Sequence, residues 1–192
     1  MSIKKITSPQ SRIGGNLKFV KSLVLLVVMI ITASHSFAQA HFEEIDGLRY
    51  LIDENTKEAT LVPTDEDYAG DVVVPEYVTA SDGKKCSVTK FVDYCFMDCG
   101  DLKSVSIPSS VTSLGDDCFA YCSSLTSITI PSSVTLLGDY CFQSCSSLTS
   151  ITIPSSVTSL SGSCFDGCSS LTSITIPSSV ISLGGSCFAY CI

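Results

Sequence analysis

The chain has 192 residues, with 19 acidic side chains against 11 basic ones and a formal charge of −8. That length allows one domain of ordinary size or one short solenoid, and so acidic a surface repels phosphate backbones, so no nucleic acid partner is expected. The charge is uneven: residues 41–101 carry 15 acids and 5 bases, whereas 102–192 carry 4 acids and 1 base.

Residues 1–40 read as a signal peptide. A basic start leads into the apolar run Leu23–Ile31, small residues follow, and Ala38-Gln39-Ala40 fits a cleavage site. The apolar run is about half of the roughly 20 residues needed to span a bilayer, which argues against a membrane anchor. No Cys stands at the cleavage point, so lipid attachment there is not indicated. Cleavage would start the mature chain at His41 and remove Lys4, Lys5, Arg12, Lys18 and Lys21, leaving 6 bases against 19 acids. The expected location is outside the inner membrane, secreted or at the cell surface, with no membrane span in the mature chain.

Residues 41–68 read as a β-rich N-terminal cap. Asp46-Gly47 between Ile45 and Leu48 is a strong two-residue hairpin signal, and Leu51-Ile52 and Ala59–Val62 are further strand candidates. Residues 69–101 read as a degenerate first repeat. Val72-Val73-Val74-Pro75 matches Val105-Ser106-Ile107-Pro108, and an insertion centred on Ser81–Lys84 reads as an added hairpin.

From residue 102 the chain repeats every 23 residues, with units 102–124, 125–147 and 148–170 and an incomplete one at 171–192. Such a period marks a stacked repeat architecture. In 125–147, Ile128 and Ile130 alternate with Ser127 and Thr129, the period of a half-buried strand, and Pro131 ends it. Val134 and Leu137 aim a second extended segment at the same interior. Gly138-Asp139 then suggests a turn and an N-cap, so that Cys141, Phe142 and Cys145 would share one face of a short helical turn. One circuit cannot bury these side chains alone; stacking completes the burial, so stability should be collective.

The pattern Leu125-x-x-Ile128-x-Ile130-Pro131-x-x-Val134-x-x-Leu137-Gly138-x-x-x-Phe142-x-x-Cys145 resembles the BspA-like bacterial leucine-rich repeats, over residues 69–192. The resemblance implies a solenoid with parallel β-strands on one face, short helical turns on the other and a β-hairpin cap at the N-terminus. It also implies a secreted or surface-attached bacterial protein used in adhesion or other protein binding. One departure is that Cys95, Cys118, Cys141, Cys164 and Cys187 stand where the family usually places Ala.

Those residues pair with Cys99, Cys122, Cys145, Cys168 and Cys191 in five Cys-Phe-x-x-Cys units, and Cys86 stands apart. Helical neighbours at i and i+4 lie about 5–6 Å apart, too far for a disulfide, and structural zinc sites favour other spacings. The reading is two structural ladders of small buried side chains, with no metal and no cofactor.

Ser104, Ser106, Ser127, Thr129, Ser150, Thr152, Ser173 and Thr175 should form an outward strip, the candidate binding surface. One Thr per layer suits ice poorly, and sugar binding is weakly supported without Trp and with Tyr121, Tyr140 and Tyr190 in the turns. His41 is the only His beyond residue 40, so Ser-His and Cys-His catalysis lack a base and no catalytic residue or small-molecule substrate is expected. Asp65-Glu66-Asp67 with Asp71 reads as a solvated acidic loop.

The chain stops inside a repeat, which reads as a fragment of a longer protein or as a last coil that frays or pairs with another copy. The functional expectation is a non-enzymatic module that binds host or matrix proteins. The alternative is a structural spacer within a larger surface protein.

Overall fold

The computed structural model describes residues 40–191; the signal peptide read over residues 1–40 lies outside the described residues except for Ala40. Strands β1 (Ala40–Ile45), β2 (Leu48–Asp53) and β3 (Glu58–Val62) form an antiparallel meander. Asp46 and Gly47 both have positive φ, 52° and 80°, the geometry of the hairpin turn whose twist matches its strands. Leu48–Tyr50 and Leu51-Ile52 join into the single strand β2, whose Leu48, Tyr50 and Ile52 all point inward.

Strand β4 (Gly70–Val73) opens the solenoid. Strands β5 (Tyr77–Thr79) and β6 (Lys85–Phe91) make an antiparallel hairpin closed by Ala80–Lys84. β6 also pairs in parallel with β3, so the meander continues into the solenoid without a break in the sheet. Across this junction the Glu43 carboxylate accepts from the Ser81 N–H and from its hydroxyl, the latter at 2.7 Å.

Each 23-residue circuit then has two extended sides. The first side stacks β4 in parallel against β7 (Leu102–Ser106). It continues through the parallel bridges Ser106↔Thr129 and Ser127↔Ser150. The second side runs from β6 to β8 (Ser113–Leu114) and β9 (Leu136–Leu137). Beyond these, β10 (Ser150–Thr152) and β11 (Ser159–Leu160) carry the two sides into the fourth repeat. There they pair with β12 (Ser173–Thr175) and β13 (Ser182–Leu183).

The third side departs from the expected helical turn. No helix occurs among the described residues. Tyr140 and Ser144 both have positive φ, 57° and 55°, as do their counterparts Tyr94 and Asp98, Asp117 and Tyr121, and Ser163 and Gly167. A helix needs every φ near −63°, so two left-handed residues four apart break the segment into consecutive turns. Alternate N–H groups turn toward the next coil: Tyr140 N donates to Gly162 O at 3.0 Å, Phe142 N to Cys164 O at 2.8 Å and Ser144 N to Asp166 O at 2.7 Å. Between them, Gln143 N and Cys145 N close tight turns on Tyr140 O and Phe142 O. Nor does Asp139 cap its own segment, because its Oδ1 accepts the N–H of Gly162 one coil away, at 2.7 Å. Backbone groups that a helix would satisfy internally are shared between coils instead.

The interior is one continuous dry core from Leu48 to Cys187. In the coil 125–147, Leu125, Val134, Leu137, Cys141, Phe142 and Cys145 are fully buried and Ile128 and Ile130 are nearly so. Phe96, Phe119, Phe142, Phe165 and Phe188 stack with centroids 5.0, 5.3, 5.4 and 5.5 Å apart and planes within 4°. Tyr68 and Phe91 close the stack at its N-terminal end.

Gly138 lets coils approach: a Cβ there would lie 2.5 Å from the backbone N of Asp116. Ser161 occupies the corresponding place one coil on. At that step the strand pairing is interrupted between β9 and β11. Leu137 O accepts from the Ser161 hydroxyl at 2.7 Å, whereas Leu114 O and Leu160 O accept from glycine N–H groups.

Candidate functional site

Two sets of residues carried chemical expectations, the cysteines and the hydroxyl strip. The cysteines form two ladders flanking the phenylalanine stack. Cys95, Cys118, Cys141, Cys164 and Cys187 line one side, Cys99, Cys122, Cys145, Cys168 and Cys191 the other, and all eleven thiols, Cys86 included, are free. In the second ladder Cys99 Sγ bonds within its own turn, to Met97 O at 3.9 Å, and the other four reach the preceding coil. Cys122 donates to Phe96 O, Cys145 to Phe119 O, Cys168 to Phe142 O and Cys191 to Phe165 O, each at 3.1 Å. Such a bond requires a protonated thiol. Burial pushes Cys118, Cys122, Cys141, Cys145 and Cys164 well above the usual thiol range, and Cys168 to about 12. Thiolate is the reactive and metal-binding form, and burial keeps these thiols protonated. No group of three or more His, Cys, Asp or Glu side chains among the described residues is arranged to hold a metal ion.

The strip lies on the first extended side. Ser127, Thr129, Ser150, Thr152, Ser173, Thr175 and Ser106 are exposed, and Ser104 is half-buried. Strand alternation places them outward because Ile128, Ile151 and Ile174 point into the core or against it. Register aligns them in two rows, Ser127 with Ser150 and Ser173, and Ser106 with Thr129, while Thr152 lies beside Thr175.

Neighbouring hydroxyls behave differently. Ser110, Ser133, Ser156 and Ser179 donate to valine carbonyls of the preceding coil. Thr149 and Thr172 do the same to Thr126 O and Thr149 O. Thr126, Thr149 and Thr172 are exposed next to the strip, which the strict two-residue alternation did not indicate. The hydroxyls of Ser106, Ser127, Thr129, Ser150, Thr152, Ser173 and Thr175 make no side-chain hydrogen bond among the described residues and point to solvent; Ser104 donates to Asp71 at 2.6 Å. From Ser106 to Thr175 the strip carries no charge, Asp71 and Lys103 standing at its N-terminal end.

Acidic groups gather on the turn side instead. Asp93 Oδ1 accepts from Asp116 N, and Asp116 Oδ1 from Asp139 N, which stacks the carboxylates coil upon coil. Asp117 beside them is pushed up to about 6, by burial first and then by Asp116, Asp93 and Asp139. In the cap, His41 Nε2 lies 2.6 Å from Glu43, and the Ser81 hydroxyl donates to that same carboxylate. The serine thus faces an acid rather than an imidazole.

A family model described as "BspA type Leucine rich repeat region (6 copies)" matches residues 85–192. A leucine-rich repeat protein from T. pallidum is 26% identical, with 75% of this chain and 64% of that one covered and a TM-score of 0.66. A leucine-rich cell surface protein from Faecalibacterium prausnitzii is 24% identical over 79% of this chain and 52% of its own, with a TM-score of 0.59. The pneumococcal vaccine antigen PcpA shares the fold at 18% identity and a TM-score of 0.56, over 78% of this chain and 47% of that one. The chain therefore spans less than two thirds of each of these structures. No curated protein matches it.

Proposed function

The chain belongs to the BspA-type leucine-rich repeat family, and on that premise we propose that it is a cell-surface protein-binding module acting in adhesion to host or matrix proteins. The binding surface is the strip Ser104, Ser106, Ser127, Thr129, Ser150, Thr152, Ser173 and Thr175. One observation carries this reading: from Ser106 to Thr175 two rows of exposed hydroxyls without side-chain hydrogen bonds lie on an uncharged face, while neighbouring hydroxyls are tied to the backbone. Export by the 1–40 signal peptide would place the module outside the cell. Among the described residues no helix is long and apolar enough to cross a membrane. The fold family is not typically enzymatic, and with the thiols buried and the serine facing a carboxylate we assign no reaction.

Surface plasmon resonance of residues 41–192 against a panel of matrix proteins tests the proposal. Saturable binding is expected, and the paired substitution Thr129→Lys with Thr152→Lys should weaken it without altering circular dichroism. Folded protein that binds nothing on such a panel would favour the spacer role.

A further inference from the structure

Resting on the reading of the strip as a protein-binding surface, we propose that it also takes a second copy of this chain, docked strip to strip in an antiparallel two-fold pair. The argument begins with charge. Beyond residue 40 acids outnumber bases 19 to 6, and the turn side carries Asp93, Asp116, Asp117 and Asp139 with no basic residue in those turns. Two copies meeting there would repel. The strip between Ser106 and Thr175 has no charge to oppose its own image.

Spacing comes next. The phenylalanine rings of successive coils stand 5.0 to 5.5 Å apart along the stack. An extended peptide lying along the solenoid advances about 3.3–3.4 Å per residue and falls out of step after one or two coils. Another copy keeps step along the whole strip. Each hydroxyl is both donor and acceptor, so a row of them is complementary to itself.

Orientation follows from the strip's ends. A parallel pair would bring together the ends of both copies that carry Asp71 and Lys103. A two-fold axis along the central strand, at Ser127 and Thr129, instead sets Asp71 opposite Ser173 and Ser104 opposite Ser150. In the second row Ser106 meets Thr152, Thr129 meets its own copy, and the exposed Val73 meets the methyl group of Thr175. Such an interface is isologous and closes at two copies. Each contact is weak alone and gains from multivalency when chains are displayed on facing surfaces.

Sedimentation equilibrium of residues 41–192 over a wide concentration range should show a monomer–dimer equilibrium. Thr129→Lys with Thr152→Lys should weaken it by about tenfold or more, since two lysines then meet across the axis. With a short bismaleimide under native conditions, Thr129→Cys should cross-link to its own copy and Thr175→Cys should not. A wild-type chain monomeric throughout, a dimer indifferent to the lysine pair, or the reverse cross-linking pattern overturns the proposal. If a monomeric chain still binds a matrix protein through the strip, the proposed function stands and only the homotypic partner is lost. A folded chain that binds neither itself nor any matrix protein removes both.

Discussion

At the scale of single residues, the repeat shows which side chains are constrained by their neighbours one coil away. Ser161 stands where Gly115, Gly138 and Gly184 stand elsewhere, and its hydroxyl substitutes for the missing N–H bond to Leu137 O. Ser161→Gly should let β9 and β11 pair yet change stability by less than about 0.5 kcal/mol in urea unfolding, because a backbone bond to Leu137 O replaces the hydroxyl bond that is lost. Gly138→Ala should cost about 1–3 kcal/mol by the same measurement, because its Cβ has no room beside Asp116. Asp117 gives a pH test. Its folded pKa of about 6 lies above the unfolded value of about 3.9, so folding takes up a proton between them. The contribution is fully present below about pH 4 and is lost as pH rises through 6. Asp117→Asn should therefore raise stability at pH 7 by about 1 kcal/mol, solvent screening included, and remove that part of the pH dependence. A gain equal at pH 4 and pH 7 would instead point to the ease with which Asn takes the positive φ of 52° found there.

The turn segment is the informative element. Its Cys-Phe-x-x-Cys spacing matches one face of a helix and also matches two consecutive turns, since both return a side chain inward after four residues. What separates them is the destination of the N–H groups, and only the neighbouring coil reveals it. The same inter-coil habit explains the second cysteine ladder, whose thiols donate to phenylalanine carbonyls. Cys145→Ala should cost about 1 kcal/mol, since Phe119 O keeps the Cys122 N–H as a partner. Thiol reagents should label the ten cysteines from Cys86 to Cys187 only after unfolding, because all of them are buried; rapid labelling of any one in the native state would contradict the packing.

Across the whole molecule, stability is collective, because each coil is a wall of its neighbour's core. Phe142 has an aromatic neighbour on both sides, 5.3 and 5.4 Å away. Phe142→Ala should cost about 3–5 kcal/mol, measured by urea unfolding. The cap belongs to the same sheet as the second side of the coils. It joins the second strand side through β3 and β6, and the Glu43–Ser81 bonds pin its edge strand to the inserted hairpin.

Much of this molecule is legible in the residues alone. The 23-residue period, the alternation of Ile128 and Ile130 with Ser127 and Thr129, and the Asp46-Gly47 hairpin are local signals, and local sterics and burial are enough to interpret them. The unbonded state of the strip hydroxyls, the unhelical turns, the carboxylate stack and the interruption at Ser161 were not legible. Each depends on a hydrogen bond or a close approach between residues one coil apart, and a one-dimensional pattern does not record which atom faces which. The chain by itself determined what repeats and which side chains turn inward; only the stacked structure decided where the backbone donors go, and therefore which surface stays free to bind.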